Sequence, residues 1–128
     1  MSVTISTIYA AILGLLFVPF TFYVGSYRVK HKILLLDGGD KELARRIRAQ
    51  GNFVETVPLA VILIVLMELN GASATWLHAL GVVMVVARVM HYLTIATNPA
   101  NTAPRALGMV GTLGVYLAAA GWLLASSF

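Results

Sequence analysis

Polar positions along this chain gather into short stretches, and between them run four apolar segments, each long enough for a helix that crosses a bilayer. Residues 1–27 contain no charge, and residues 8–24 (IYAAILGLLFVPFTFYV) form the first apolar run. Pro19 falls inside it and predicts a kink, which membrane helices tolerate when neighbours satisfy the freed carbonyl. A basic stretch beginning at Arg28 then ends in Leu36-Asp37-Gly38-Gly39-Asp40, where the glycines supply turn conformations and Asp37 or Asp40 can cap the next helix. That second helix covers about residues 41–68 and changes character midway, from KELARRIRAQGNFVE to TVPLAVILIVLM. Asn70-Gly71-Ala72-Ser73 reads as a tight turn, with Ser73 as the N-cap of a third helix over about residues 74–96. Residues 98–104 (NPANTAP) make another connection, and the uncharged residues 106–128 make the fourth helix. The pattern predicts an all-α, integral membrane four-helix bundle, with residues 1–128 as a single four-span transmembrane domain.

Composition agrees with that pattern. Hydrophobic side chains make up 59% of the chain and charged ones 11%, with a mean hydropathy of +0.87, where a soluble domain carries about 25% charge. The pI of about 9.8 could suggest nucleic acid, but seven of the nine basic residues lie between the first two apolar runs, the distribution the positive-inside bias produces. Nucleic-acid binding is therefore not expected. The same bias predicts that the segment from Arg28 to Arg48 and Arg105 face the cytoplasm and that both termini face away from it. The first helix lacks a basic n-region and a small-residue cleavage pattern, so it reads as retained. With no cysteine, any sulfur nucleophile must arrive on a ligand.

The charged residues inside or beside the spans carry the candidate chemistry, because each needs a partner or a role. Arg45, Arg48, Asn52 and Glu55 recur at spacings of 3, 4 and 3, within an arc of roughly 80° on the second helix, and Leu59, Ile62 and Leu66 continue the stripe. It reads as a face directed toward other helices. Glu55 stands fifteen residues before Asn70 and Arg88 fifteen after Ser73, so both lie about 22 Å from the turn between their helices. Asn52 and His91 form the next layer, His91 sharing the face of Arg88. The plain expectation is a Glu55–Arg88 ion pair, direct or through a ligand, and a purely structural lock is one form of it. Arg28, Arg45 and Arg48 add positive charge at the same mouth, which suits a small ligand with two carboxylates and one ammonium. Lys30, Lys32 and Lys41 are expected to meet lipid phosphate instead.

Other features receive structural readings. Gly111, Gly114, Ala118, Gly121 and Ala125, spaced 3, 4, 3 and 4, mark the expected contact face of the fourth helix, within a subunit or between subunits. Tyr92 reads as an interfacial aromatic anchor. Because His78 and His91 point to nearly opposite faces of one helix and His31 lies in the basic stretch, no metal site is expected.

The run Arg45-Arg46-Ile47-Arg48-Ala49-Gln50-Gly51-Asn52-Phe53-Val54-Glu55-Thr56-Val57-Pro58 resembles the R-x-x-R-A-x-x-N-x-x-E-x-x-P signature of the MAPEG family, the membrane-associated proteins in eicosanoid and glutathione metabolism. Ala87-Arg88-Val89-Met90-His91 and Pro104-Arg105-Ala106-Leu107 resemble the same family, and the Leu-Asp-Gly-Gly-Asp loop looks most like its bacterial branch. The resemblance implies a homotrimer in a bacterial inner membrane, with glutathione as co-substrate between neighbouring subunits. It implies that Arg48, Gln50, Asn52 and Glu55 hold the tripeptide with Arg28 and Arg88, and Arg45 and His91 are expected beside them. Arg105 corresponds to the arginine against the glutathione sulfur, where it would favour thiolate over thiol. The implied activity is a glutathione-dependent transferase or peroxidase acting on lipophilic electrophiles. Two alternatives stay open: a non-catalytic member that binds glutathione or lipid, and a small multidrug transporter, although the first helix lacks the carboxylate expected of the latter.

Overall fold

The computed structural model describes residues 3–128, so the first two residues of the expected 1–128 domain lie outside the described residues. Four helices follow in order: α1 (Thr4–His31), α2 (Lys41–Leu69), α3 (Ala74–Thr97) and α4 (Thr102–Ser126). Each is long and apolar enough to cross a membrane. Helix α3 packs against the other three, while α1 and α4 occupy opposite flanks and do not meet.

The start of α2 follows the capping expectation. Asp40 Oδ1 accepts the backbone N–H groups of Glu42 (2.8 Å) and Leu43 (2.9 Å), and Asp40 Oδ2 accepts the Tyr27 hydroxyl at 3.0 Å. The Leu43 N–H is the largest influence holding the Asp40 carboxyl below its ordinary range; this support is present above the usual carboxylate pKa and is lost as pH falls through the lowered value. Ser73 caps α3 through the Trp76 N–H. Helix α1 runs on through Arg28 and His31, about two turns beyond the apolar run, and stops where Lys32 adopts a left-handed conformation at φ 57°.

Helix α4 begins at Thr102, not near residue 106 as the apolar pattern suggested. Pro104 is tolerated there because first-turn N–H groups have no intrahelical acceptor, and Arg105 consequently rides on the helix. The expected small-residue face also shifts. Gly111 and Ala118 of the expected stripe do pack inward, but α4 buries Gly108, Thr112, Val115 and Ala119, and Gly114 and Gly121 have open space where a side chain would stand. Gly108 makes the close approach: a Cβ there would lie 2.7 Å from the Ala87 carbonyl oxygen and 2.8 Å from His91 Cβ. Backbone contact of this kind holds helices together where lipid removes the hydrophobic driving force.

Polar contacts also tie α1 into the bundle. Glu68, at the far end of α2, accepts the N–H groups of Ile5 (2.8 Å) and Ser6 (2.7 Å), and so serves as the N-terminal cap of α1 from another helix. Tyr92, read from sequence as an interfacial anchor, is instead buried; its ring stacks on Phe20 at 3.6 Å and its hydroxyl donates to the Phe20 carbonyl at 3.0 Å.

Candidate functional site

Helix α2 turns Ala49, Asn52, Phe53, Val57, Ala60 and Ile64 to the core. This face fixes the fate of the signature stripe. Asn52 is its one member that is buried; Arg48, Glu55, Leu59, Ile62 and Leu66 lie on the outer surface of the subunit. The expected Glu55–Arg88 contact is therefore corrected. Glu55 pairs with Arg48 seven residues earlier on the same helix, Nη1 to Oε1 at 3.3 Å and Nη2 to Oε2 at 3.0 Å, with both side chains 57% exposed. Gly51 lies beneath this bridge, its missing side chain leaving both partners free to meet.

Arg88 is 1% exposed, and none of its hydrogen-bond partners is a carboxylate. Its Nη1 donates to Asn52 Oδ1 (2.7 Å) and Thr56 Oγ1 (3.0 Å), and its Nη2 to the Gly108 carbonyl (2.9 Å). The depth count was sound, since Asn52 and Thr56 bracket Glu55 on α2. The face was wrong: Glu55 sits about 60° from Asn52 on the side away from α3. Through Arg88 three helices meet at one guanidinium, and its Nε is buried without a partner among the described residues.

The remaining expected residues divide between two clefts that share Arg48. One, of about 360 Å³, lies between α2, α3 and α4 and is lined by Arg48, Asn52, His91, Ile95, Arg105 and Met109, among others. Arg105 has no hydrogen bond or ion pair among the described residues, so its charge is available to a ligand in this cleft. The second, of about 580 Å³, lies between the end of α1, the following loop and α2, and brings Arg28, Asp37, Gly51 and Glu55 to the other side of Arg48. Arg28 Nη1 donates to the Leu36 carbonyl at 2.6 Å and so holds that loop as a wall.

Two expected residues stand apart. Arg45 is bound by Glu42 one turn earlier and lines neither cleft. Gln50 faces α1, donating to Thr21 Oγ1 at 2.5 Å, while its buried Oε1 lacks a partner among the described residues. Sequence reasoning missed Thr56 and Gly108 as holders of Arg88. Both had a signal: Thr56 is one turn beyond Asn52, and Gly108 extends the glycine spacing of α4 one step back from Gly111. It also missed Ile95, Thr102 and Met109 as cleft walls. Arg46, passed over in the candidate stripe, ties α1 to α2 by donating to the Tyr23 carbonyl at 3.0 Å and lying 3.7 Å over the Tyr23 ring.

The electrostatic balance favours an anion. Arg28, Arg48, Arg105 and the buried Arg88 outnumber Glu55 and Asp37 by two charges in and immediately behind the clefts. Residues 6–125 match the family described as the MAPEG family. A stretch of 88 residues is 40% identical to the inner membrane protein YecN of Escherichia coli K12, covering 69% of this chain and 67% of that protein. The YecN of Escherichia coli O6:H1 matches to the same extent.

Proposed function

From the premise that this chain belongs to the MAPEG family, we propose that it is a glutathione-dependent transferase or peroxidase of a bacterial inner membrane, acting on lipophilic electrophiles drawn from the bilayer. The observation that carries this reading is the sharing of Arg48 by two clefts whose lining cations, together with the buried Arg88 behind them, exceed their carboxylates by two charges. Glutathione as thiolate has two carboxylates, one ammonium and one sulfur anion, a net charge of two negatives that matches the excess. Arg28 and Arg48 supply carboxylate binding, Arg88 acts from behind through the Asn52 it holds, and Glu55 takes the ammonium. Arg105, unpaired at the wall of the first cleft, meets the sulfur and favours its ionised form. The thiol proton leaves to water. The sulfur then forms a bond to the electrophile as the leaving group departs, or attacks the terminal oxygen of a lipid hydroperoxide, breaking the O–O bond to release the lipid alcohol and a glutathione sulfenic acid that a second glutathione converts to the disulfide and water.

Membership of the family implies assembly as a homotrimer, and the outer stripe of α2 with the open face of α4 offers surfaces on which neighbouring copies could pack. Leu59, Ile62 and Leu66 are exposed in line with Glu55, and Gly114 and Gly121 leave α4 open to close backbone approach. A neighbouring subunit packed there would close over the Arg48–Glu55 bridge and screen it from lipid and water. The basic α1–α2 connection faces the cytoplasm in this arrangement, and both termini face away from it.

Calorimetric titration of the detergent-solubilised protein with glutathione tests the binding half of this reading. Saturable binding is expected, weakened about tenfold or more by Arg48→Ala or Glu55→Gln as charge-assisted contacts are lost, with helix content unchanged in circular dichroism. Absence of saturable binding in the wild-type protein would refute it.

A further inference from the structure

The α1–α2 connection displays the most exposed leucines on the cytoplasmic-facing end of the proposed arrangement. Leu34, Leu35 and Leu36 are 90%, 81% and 81% exposed, and Val29 on the preceding turn is 81% exposed. They are not a slack loop that happens to point outward. Lys32 and Leu36 both adopt left-handed backbone conformations, at φ 57° and 53°, which non-glycine residues rarely accept. The Ile33 N–H bonds the Arg28 carbonyl at 3.1 Å, and the Leu36 carbonyl accepts from Arg28 Nη1. Ile33 folds back over Gly38, leaving its three successors turned away from the bundle. The fold therefore constrains a leucine triplet in a place where none of the described residues covers it.

Position and charge indicate what covers it. The loop joins the ends of two helices long and apolar enough to span, so it lies at the level of the lipid headgroups. Exposed Lys30 and Lys32 flank the triplet, and exposed Lys41 opens α2 just beyond. The two nearby carboxylates are occupied: Asp37 accepts the Gly39 N–H, and Asp40 caps α2 and takes the Tyr27 hydroxyl. A cleft of about 500 Å³, walled by Gly25, Val29, Ile33 and Leu34 and rimmed by Arg28 and Lys32, runs along the end of α1. Apolar walls with cations at the rim match an acyl chain beneath a phosphate.

We propose that residues 29–36 form an anionic-phospholipid anchor, in which Leu34 and Leu35 enter the acyl boundary and Lys30 and Lys32 hold the headgroup phosphate above them. Leu36 and Arg28 also line the Arg48–Glu55 cleft, so the anchored loop fixes that cleft's outer wall at the leaflet surface. This inference stands on the loop and does not require glutathione chemistry.

The cysteine-free chain permits a direct test. Leu35→Cys, labelled with an environment-sensitive fluorophore, is reconstituted in phosphatidylcholine vesicles containing phosphatidylglycerol, with a spin label on one lipid or the other. Blue-shifted emission is expected, shielded from aqueous iodide and quenched more strongly by spin-labelled phosphatidylglycerol than by spin-labelled phosphatidylcholine. Each of Lys30→Gln and Lys32→Gln should reduce that preference about fivefold. Three outcomes would overturn the proposal: water-like, iodide-accessible emission; equal quenching by the two spin-labelled lipids; or shielding from iodide with quenching by neither, which would assign the leucines to a contact between protein copies.

Discussion

Arg88→Met is expected to destabilise the subunit by about 3 kcal/mol, read as a lower thermal unfolding midpoint in detergent. Asn52 Oδ1, Thr56 Oγ1 and the Gly108 carbonyl would each lose a charged donor in a region from which water is excluded. Hydrogen bonds to charged groups are worth about 1.5–3 kcal/mol each, but removing the guanidinium also recovers the cost of burying a charge with no carboxylate beside it, so the loss falls well below three full bonds. Lysine cannot reach acceptors on two helices with a planar fork, so Arg88→Lys should rescue only in part. A double-mutant cycle separates this account from an ion-pair lock. Arg88→Met combined with Asn52→Leu should cost less than the sum of the two, whereas Arg88→Met combined with Glu55→Gln should be additive. Strong coupling to Glu55 and none to Asn52 would contradict the assignment of partners.

The second large effect is kinetic. Arg105→Ala should lower the conjugation rate with a soluble electrophile about tenfold at pH 7, because loss of a cation beside the sulfur returns the bound thiol toward its ordinary pKa of about 8.5. The sign follows from the chemistry: the thiolate is the nucleophile, so the deficit is greatest below that value and closes as pH rises through it. Glutathione affinity should change little, since the tripeptide is held elsewhere. Arg48→Ala should show the reverse pattern, raising KM about tenfold at every pH through loss of a charge-assisted contact. A rate equal to wild type at every pH in Arg105→Ala would leave Arg105 as a cation reaching the interface from the first turn of α4.

The four spans, the Asp40 and Ser73 caps and the depth of each polar layer were legible because they depend on local spacing and on the 1.5 Å rise of a helix. Facing was harder to read. On α2 the arc from Arg45 to Glu55 looked inward because its members are polar and share a side, but Phe53, Val57 and Ala60 take the core, and Glu55 is left outside with Arg48. In a membrane, hydrophobicity does not separate the buried face of a helix from the lipid face, so small residues and close backbone approach decide it. Gly108 illustrates this, since its role depends on the Ala87 backbone of α3, far away in sequence and adjacent in space. The Glu68 cap on α1 was likewise invisible, because its partners lie 62 and 63 residues earlier in the chain.

The central claim is that bound glutathione is ionised beside Arg105, and ultraviolet difference absorbance of the purified protein on adding glutathione near neutral pH measures this directly. The account predicts a thiolate band in the wild-type protein that saturates with binding, and its loss in Arg105→Ala under conditions where that variant still binds. Saturable binding with no thiolate absorbance in the wild type would contradict catalysis by this route and favour a binding-only member of the family, and an undiminished band in Arg105→Ala would remove Arg105 from the sulfur.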